Sequence, residues 1–244
     1  MIRAILFDHD GVLVDSMSYH VAAWKRVMAR YGIEIDPLEI YLTEGATTLE
    51  VAAELFHRHN KPASPDQVQE IVREKRDEYL ANNATQINEG VLDVLEYLKE
   101  NRYRLGLVTG SIRSQVEPVL GPEIYATFDC IITAEDVERG KPDPEPYLRA
   151  IQKLHIAPSE CLVIENAPLG IRAGKSAGCA VVAVTTTLAP YHLREADAIV
   201  HDFAELRRRL PSIMSKYEGP ALQPKLKPAL PELQRFIDIE EELY

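Results

Sequence analysis

Long apolar runs are missing. No stretch of the 244 residues approaches the roughly 18 consecutive apolar residues that a membrane-spanning helix requires. Cysteine is scarce: Cys130, Cys161 and Cys179 are odd in number, lack metal-ligand spacing and lie in or beside apolar runs. That excludes a disulfide framework and predicts buried, reduced thiols. Positive charge is also in short supply, with 27 Lys and Arg against 38 Asp and Glu and a formal charge of −11. A field of that sign repels nucleic acid and anionic lipid, so neither nucleic acid nor a membrane is expected as a partner. No basic and apolar leader separates Met1 from the first strand-like run, and a cytoplasmic address is expected. What remains, 46% hydrophobic and 27% charged residues, is the balance of a globular protein: one large domain, or one domain carrying a smaller insertion.

Short apolar runs of strand length recur at Ile2 to Phe7, Arg104 to Val108, Cys130 to Thr133, Cys161 to Ile164, Ala180 to Val184 and Ala198 to Val200, alternating with helical patterns. The rhythm predicts an α/β, Rossmann-like, mostly parallel sheet with helices on both faces. It breaks once, between Asp15 and about Asn88, where only helical signatures occur. Ser64-Pro65-Asp66-Gln67 reads as an N-cap, a first-turn proline and a capping-box partner, followed by Val68, Ile71, Val72 and Tyr79 on one face. A helix from about Met17 to Tyr31 buries Val21, Trp24 and Met28. The expected organisation is therefore a core of residues 1–14 and 89–212 with an inserted all-α domain of residues 15–88. Asp143-Pro144 opens a helix carrying Tyr147, Leu148, Ile151 and Leu154, and Pro168 opens another that stops near Gly178. Residues 213–244 read as a linker with Pro220, Pro224, Pro228 and Pro231, ending in an amphipathic segment with Leu233, Phe236, Ile237 and Leu243.

Asp8-His9-Asp10-Gly11 follows directly on Ala4-Ile5-Leu6-Phe7, so two carboxylates emerge where the sheet opens. Such a pair suits a divalent cation, a nucleophile beside a general acid, or both, while a solvated turn is the alternative. Val108-Thr109-Gly110-Ser111 ends a strand with hydroxyls and a glycine amide, groups that hold phosphoryl oxygens or simply cap a helix. Gly140-Lys141-Pro142-Asp143 places one lysine on a turn. Ile164-Glu165-Asn166-Ala167-Pro168 ends another strand with a carboxylate and an amide. All four segments belong to one rim of the sheet, where open parallel sheets bind ligands.

The ordered set Asp8-x-Asp10-Gly11, Thr109, Lys141 and Glu165-Asn166 resembles the four motifs of the haloacid dehalogenase-like phosphohydrolases, over roughly residues 2 to 210. Ser16 to Trp24, Gly140-Lys141-Pro142 and Glu165 to Gly170 resemble the β-phosphoglucomutase-like branch, whose first-type helical cap the insertion matches. The resemblance implies phosphoryl transfer to Asp8, with Asp10 as acid and then base. It implies Mg²⁺ on Asp8, the Asp10 carbonyl, Glu165 and Asn166, with Thr109, Gly110, Ser111 and Lys141 on the phosphate. A mobile cap with hinges near Asp15 and Asn88 to Gly90 would bring His20, Glu44 and Thr47 over the site. The implied partner is a small phosphorylated molecule, and a monomer is expected.

Many relatives carry Asp where this chain has Asn166, which keeps an oxygen ligand but removes a charge; Glu44 either makes up for it at the metal or is a solvated glutamate. The segment Thr43 to Glu50 contains neither Arg nor Lys. A mutase working through a sugar bisphosphate needs a cation for the distal phosphate, so hydrolysis of a sugar phosphate or of inorganic pyrophosphate is expected. A phosphomutase, a non-catalytic phosphate-binding protein and, least, a dehalogenase are the alternatives. His20 reads as a rim histidine near Asp10 or a partly buried helix residue, His9 as packing, and Arg207-Arg208-Arg209 as an exposed helix face.

Overall fold

The structure, a computed structural model, describes residues 1–217. Residues 218–244 of the expected linker and terminal amphipathic segment (213–244) lie outside the described residues.

Six strands, β1 (Ala4–Phe7), β2 (Arg104–Val108), β3 (Cys130–Ile132), β4 (Cys161–Glu165), β5 (Ala180–Val184) and β6 (Ala198–Val200), form one parallel sheet in the order β3-β2-β1-β4-β5-β6. Every strand matches an apolar run picked out in the sequence. Parallel strands covered on both faces need apolar residues at consecutive positions, which makes them legible. The central strand is fully enclosed: Ile5 and Phe7 join one core cluster, Ala4 and Leu6 the other. Burying Ile5, Leu6 and Phe7 contributes about 1.5–3 kcal/mol each before entropic costs. The chain order reverses at β1, with β2 and β3 on one side and β4 to β6 on the other. That switch point opens a crevice at the carboxyl ends of β1 and β4.

On the core, α5 (Val91–Glu100), α6 (Arg113–Tyr125) and α9 (Phe203–Ser215) supply the first cluster, and α7 (Glu145–Leu154) and α8 (Pro168–Ser176) the second. In α7 the apolar face buries Tyr147, Ile151 and Leu154 but leaves Leu148 exposed. The expected boundary at 212 moves outward. Helix α9 runs through Pro211 to Ser215 because Ile213 and Met214 are buried in the core, offsetting the helical bond that proline cannot donate. The three-arginine segment is also less exposed than expected. Arg207 stacks over the Tyr97 ring at 3.5 Å and Arg209 bonds Glu205 and the Ile199 carbonyl, leaving Arg208 in solvent. All three cysteines are buried and unbridged, as expected. No described helix is long and apolar enough to cross a membrane.

Between β1 and α5 the chain forms α1 (Met17–Arg30), α2 (Pro37–Leu42), α3 (Thr48–Arg58) and α4 (Pro65–Asn82). These four helices have their own apolar cluster, built on Trp24, Met28, Leu55, Phe56 and Ile71. Asp36, Thr47 and Ser64 each close a capping box at a helix start, the last as the sequence predicted. The two chain crossings into the insert run side by side. Val14 and Ile87 form an antiparallel bridge, and the Asp15 and Asn88 amides bond the Gln86 and Leu13 carbonyls.

Candidate active site

The Asp8 amide bonds the Ile164 carbonyl, so Asp8 leaves the sheet beside Glu165 at the end of β4. Lys141, on the loop before α7, reaches between them. Its Nζ donates to Asp8 Oδ1 at 2.5 Å, Glu165 Oε1 at 2.7 Å and the Val108 carbonyl at 3.1 Å, with 1% of the residue exposed. A lone lysine on a surface turn is ordinarily solvated; this one is enclosed because two strand-end carboxylates converge on it. Burial disfavours its charged form, but Asp8 and Glu165 more than compensate and raise its pKa. Burial likewise pushes the Asp8 carboxyl up, to about 8, with Glu165 and Asp10 adding to the rise and Lys141 opposing it. A cation beside Asp8 would favour its ionised form.

Glu165, expected at the metal, has both carboxylate oxygens engaged by neighbouring donors. Oε1 accepts from Lys141 and from the Tyr147 hydroxyl at 2.7 Å, and Oε2 accepts from the Asn166 amide at 3.1 Å. With these donors in place, Glu165 anchors Lys141 and Tyr147. A Cβ on Gly170 would fall inside the Glu165 carboxyl, so only glycine leaves room for it.

Asp10 stands one turn further on. Its Oδ1 accepts from Ser16 at 2.6 Å and from His20 Nε2 at 3.1 Å, and its Oδ2 from Ser111 at 2.8 Å. Burial pushes this carboxyl up, but His9, His20 and the hydrogen bonds outweigh it and hold it well below the usual carboxylate range. Ser111, expected on the phosphate, donates its hydroxyl to Asp10 in this arrangement. Thr109 is buried and its hydroxyl accepts from the Ser111 amide at 3.0 Å, leaving its own proton to donate. Gly110 lines the cavity between core and insert. His9 is buried, as a packing residue should be, and burial lowers its pKa.

The insert lies against this rim. Cβ positions built on Gly45 and Gly110 would meet the Lys141 side chain and the Gly45 and Ala46 carbonyls at 3.0–3.3 Å. Between them is a cavity of about 70 Å³ lined by Asp8, Asp10, His20, Glu44, Lys75 and Gly110, among others. Glu44 is buried there with Oε2 unpartnered. Burial and the field of Asp8, Asp10 and Glu165 raise its pKa well above the usual range. Thr47 does not line the cavity: its hydroxyl caps α3 by accepting from the Glu50 amide.

Sequence reasoning missed Lys75. It lies on α4, is 6% exposed, and donates to His20 Nδ1 at 2.8 Å, which leaves the ring proton on Nε2 to face Asp10. Burial lowers its pKa from 10.5 to about 8. The signal was present, since Lys75 falls four residues after Ile71 and four before Tyr79 on the buried stripe of α4. The segment 43–50 carries no Arg or Lys, as read from the sequence; the cation that lines the cavity comes instead from α4.

Among the described residues, no three His, Cys, Asp or Glu side chains form a group able to hold a metal ion alone. The buried side-chain oxygens without hydrogen-bond partners, however, are Asp8 Oδ2, Glu44 Oε2 and Asn166 Oδ1. Three such oxygens near adjoining strand ends and the facing loop suit a hard, oxygen-seeking divalent cation that accepts an amide ligand beside carboxylates.

A family model described as haloacid dehalogenase-like hydrolase matches residues 5–184. The chain is 34% identical over 218 residues to a validoxylamine A 7'-phosphate phosphatase of Streptomyces hygroscopicus subsp. limoneus, covering 85% of this chain and 97% of that protein. It is 30% identical to hexitol phosphatase A of Escherichia coli K12, over 84% of this chain and 93% of the relative. Among solved structures, a β-phosphoglucomutase from Clostridium difficile superposes with a TM-score of 0.78 at 30% identity, covering 89% of this chain and 97% of the other.

Proposed function

Because the chain belongs to the haloacid dehalogenase-like hydrolase family, we propose that it is a Mg²⁺-dependent phosphatase that hydrolyses a small phosphorylated carbohydrate through an aspartyl phosphate on Asp8. One observation carries the reading. Lys141 ties Asp8 to Glu165 in a buried pocket while Asp8 Oδ2 is left without a partner, next to an Asp10 held by Ser16, Ser111 and His20.

In the first half-reaction an Asp8 oxygen bonds to phosphorus and the ester oxygen leaves, taking a proton from Asp10. In the second, Asp10 removes a proton from water, whose oxygen attacks phosphorus and frees the Asp8 carboxylate. Resting Asp10 is ionised, the form the second half needs. A phosphate dianion beside it raises its pKa towards the acid form. Lys141 offsets negative charge between nucleophile and phosphate, while Thr109 and the Gly110 amide hold non-transferring oxygens. Asp8, the Asp10 main-chain carbonyl and Asn166 Oδ1 would hold Mg²⁺, which would supply the positive charge that lets a carboxylate approach a dianion. The insert acts as a cap that excludes water when shut and admits substrate when it swings about the paired crossings at Val14 and Ile87.

Inorganic pyrophosphate is the second reading. The cavity, about 70 Å³, is small beside the roughly 300 Å³ of the smallest pockets enclosing drug-sized ligands. Its Glu44 wall suits a compact anion arriving with a cation. A phosphomutase is less well supported, because the cavity's one lysine on the insert, Lys75, is engaged with His20. Phosphate release from sugar phosphates and from pyrophosphate, with Mg²⁺ and with chelator, separates these readings. Isomerised sugar phosphate without release would identify a mutase. Full turnover by Asp8→Asn would overturn the nucleophile assignment.

A further inference from the structure

Asn166 poses a problem that an aspartate would not. A carboxylate offers oxygen whichever way it turns, whereas an amide offers oxygen on one side and two N–H donors on the other. An amide turned the wrong way would present hydrogens to a cation. Something must therefore fix its orientation.

Thr187, in the loop after β5, does this. Asn166 Nδ2 donates to Thr187 Oγ1 at 3.0 Å, and the same Oγ1 donates to the Asn166 main-chain carbonyl at 3.5 Å. With its proton turned to that carbonyl, the hydroxyl shows a lone pair to the amide, and only the NH₂ side can answer. The oxygen left over, Oδ1, is buried and unpartnered. The loop itself is tied down by the neighbouring Thr186, whose hydroxyl donates to the Gly11 carbonyl at 2.6 Å. Gly11 closes the other side: it has φ +76°, and a Cβ there would overlap Asn166 Nδ2.

We infer that Thr187 is a positioning residue for cation binding, acting through Asn166 by holding its NH₂ so that the amide oxygen is the side left free for a cation. The inference rests on the proposed function, since it takes the site to bind Mg²⁺. Partners that orient metal ligands typically change affinity 10- to 100-fold when removed, and the requirement here arises from the asparagine. Thr187 should thus matter to this chain and cease to matter when the amide becomes a carboxylate.

The test is Mg²⁺ titration of chelator-stripped protein by calorimetry, without substrate, with thermal melts to confirm folding. Thr187→Val, which keeps the branched shape, is expected to weaken Mg²⁺ binding about tenfold or more, and Thr187→Ser to restore it. In an Asn166→Asp background, Thr187→Val should leave Mg²⁺ affinity unchanged. Thr187→Ala serves in the same comparison if the valine variant does not fold. Unaltered affinity in Thr187→Val, while the parent binds Mg²⁺, would overturn the inference and leave the phosphatase reading standing. An equal loss in both backgrounds would also overturn it, marking a general disturbance of the loop. A parent protein that binds no Mg²⁺ would remove the cation reading and the inference with it.

Discussion

Lys75 Nζ stands 2.8 Å from His20 Nδ1, so a buried ammonium on the fourth helix of the insert fixes the tautomer of a histidine whose other nitrogen touches Asp10. The insert thereby reaches the proposed acid and base of the core through one ring. Tyr79 stacks on that ring at 4.2 Å between centroids, holding its plane.

Replacing Lys75 with Met should raise the His20 pKa. Burial is the main cause of its depression and the Lys75 charge the next, with Asp10 opposing both. Removing the charge leaves burial acting against Asp10, and the pKa moves up towards 6.5. Proton NMR titration of the His20 ring signals reads this directly; an unmoved midpoint would contradict the electrostatic coupling.

The same substitution should show a pH-dependent gain in stability. Lys75 titrates at about 8 in the folded protein against 10.5 as the ordinary value, so the unfolded chain binds the proton more tightly. The cost of burying it is full below about pH 8 and disappears as pH rises from 8 to 10.5. That cost is at most about 3 kcal/mol, because each tenfold difference in proton affinity corresponds to about 1.4 kcal/mol. Urea unfolding of both proteins from pH 7 to 10.5 should show Lys75→Met more stable at the low end and the curves converging at the high end.

Gly170→Ala tests the Glu165 anchor without touching a charged residue. The new methyl would occupy the space of the Glu165 carboxyl, displacing it and the Lys141 ammonium bound to it. A misplacement of about 1 Å at a reacting centre costs on the order of 100-fold in rate. Phosphate release should fall by that order; full activity would mean the anchor is dispensable.

Glu44→Gln should stabilise the metal-free protein. It removes a buried carboxyl that faces Asp8, Asp10 and Glu165 and keeps a similar shape. The folded-state pKa of Glu44 is raised, so the native cost of the glutamate grows as pH rises above about 4.5 and the benefit of glutamine grows with it. Thermal melts in chelator at pH 5 and pH 8 should show a larger gain in melting temperature at pH 8.

The strands were legible because each is buried on two faces and must be written as an unbroken apolar run, and the capped helices because caps are local chemistry. Ser64 to Gln67 was readable for that reason. The region of α9 beyond Pro211 was not, because the helix there is held by burial of Ile213 and Met214 against residues distant in sequence. Lys75 escaped notice for a related reason. A lysine at a buried helical position looks like an interruption of the pattern until a histidine 55 residues away supplies its partner.

The sequence by itself determined the strand order of chemistry: which segments end in carboxylate, hydroxyl, lysine or amide, and that all belong to one rim of a parallel sheet. Tertiary structure alone decided how those groups share their hydrogen bonds. Ser111 went to Asp10, Glu165 to Lys141 and Tyr147, and Asn166 Nδ2 to Thr187, leaving particular oxygens without partners. The reason is physical. Residue type fixes what a group can donate or accept, but in a pocket closed to water each donor must choose among acceptors from segments 6 to 133 positions away, a choice made by three-dimensional packing.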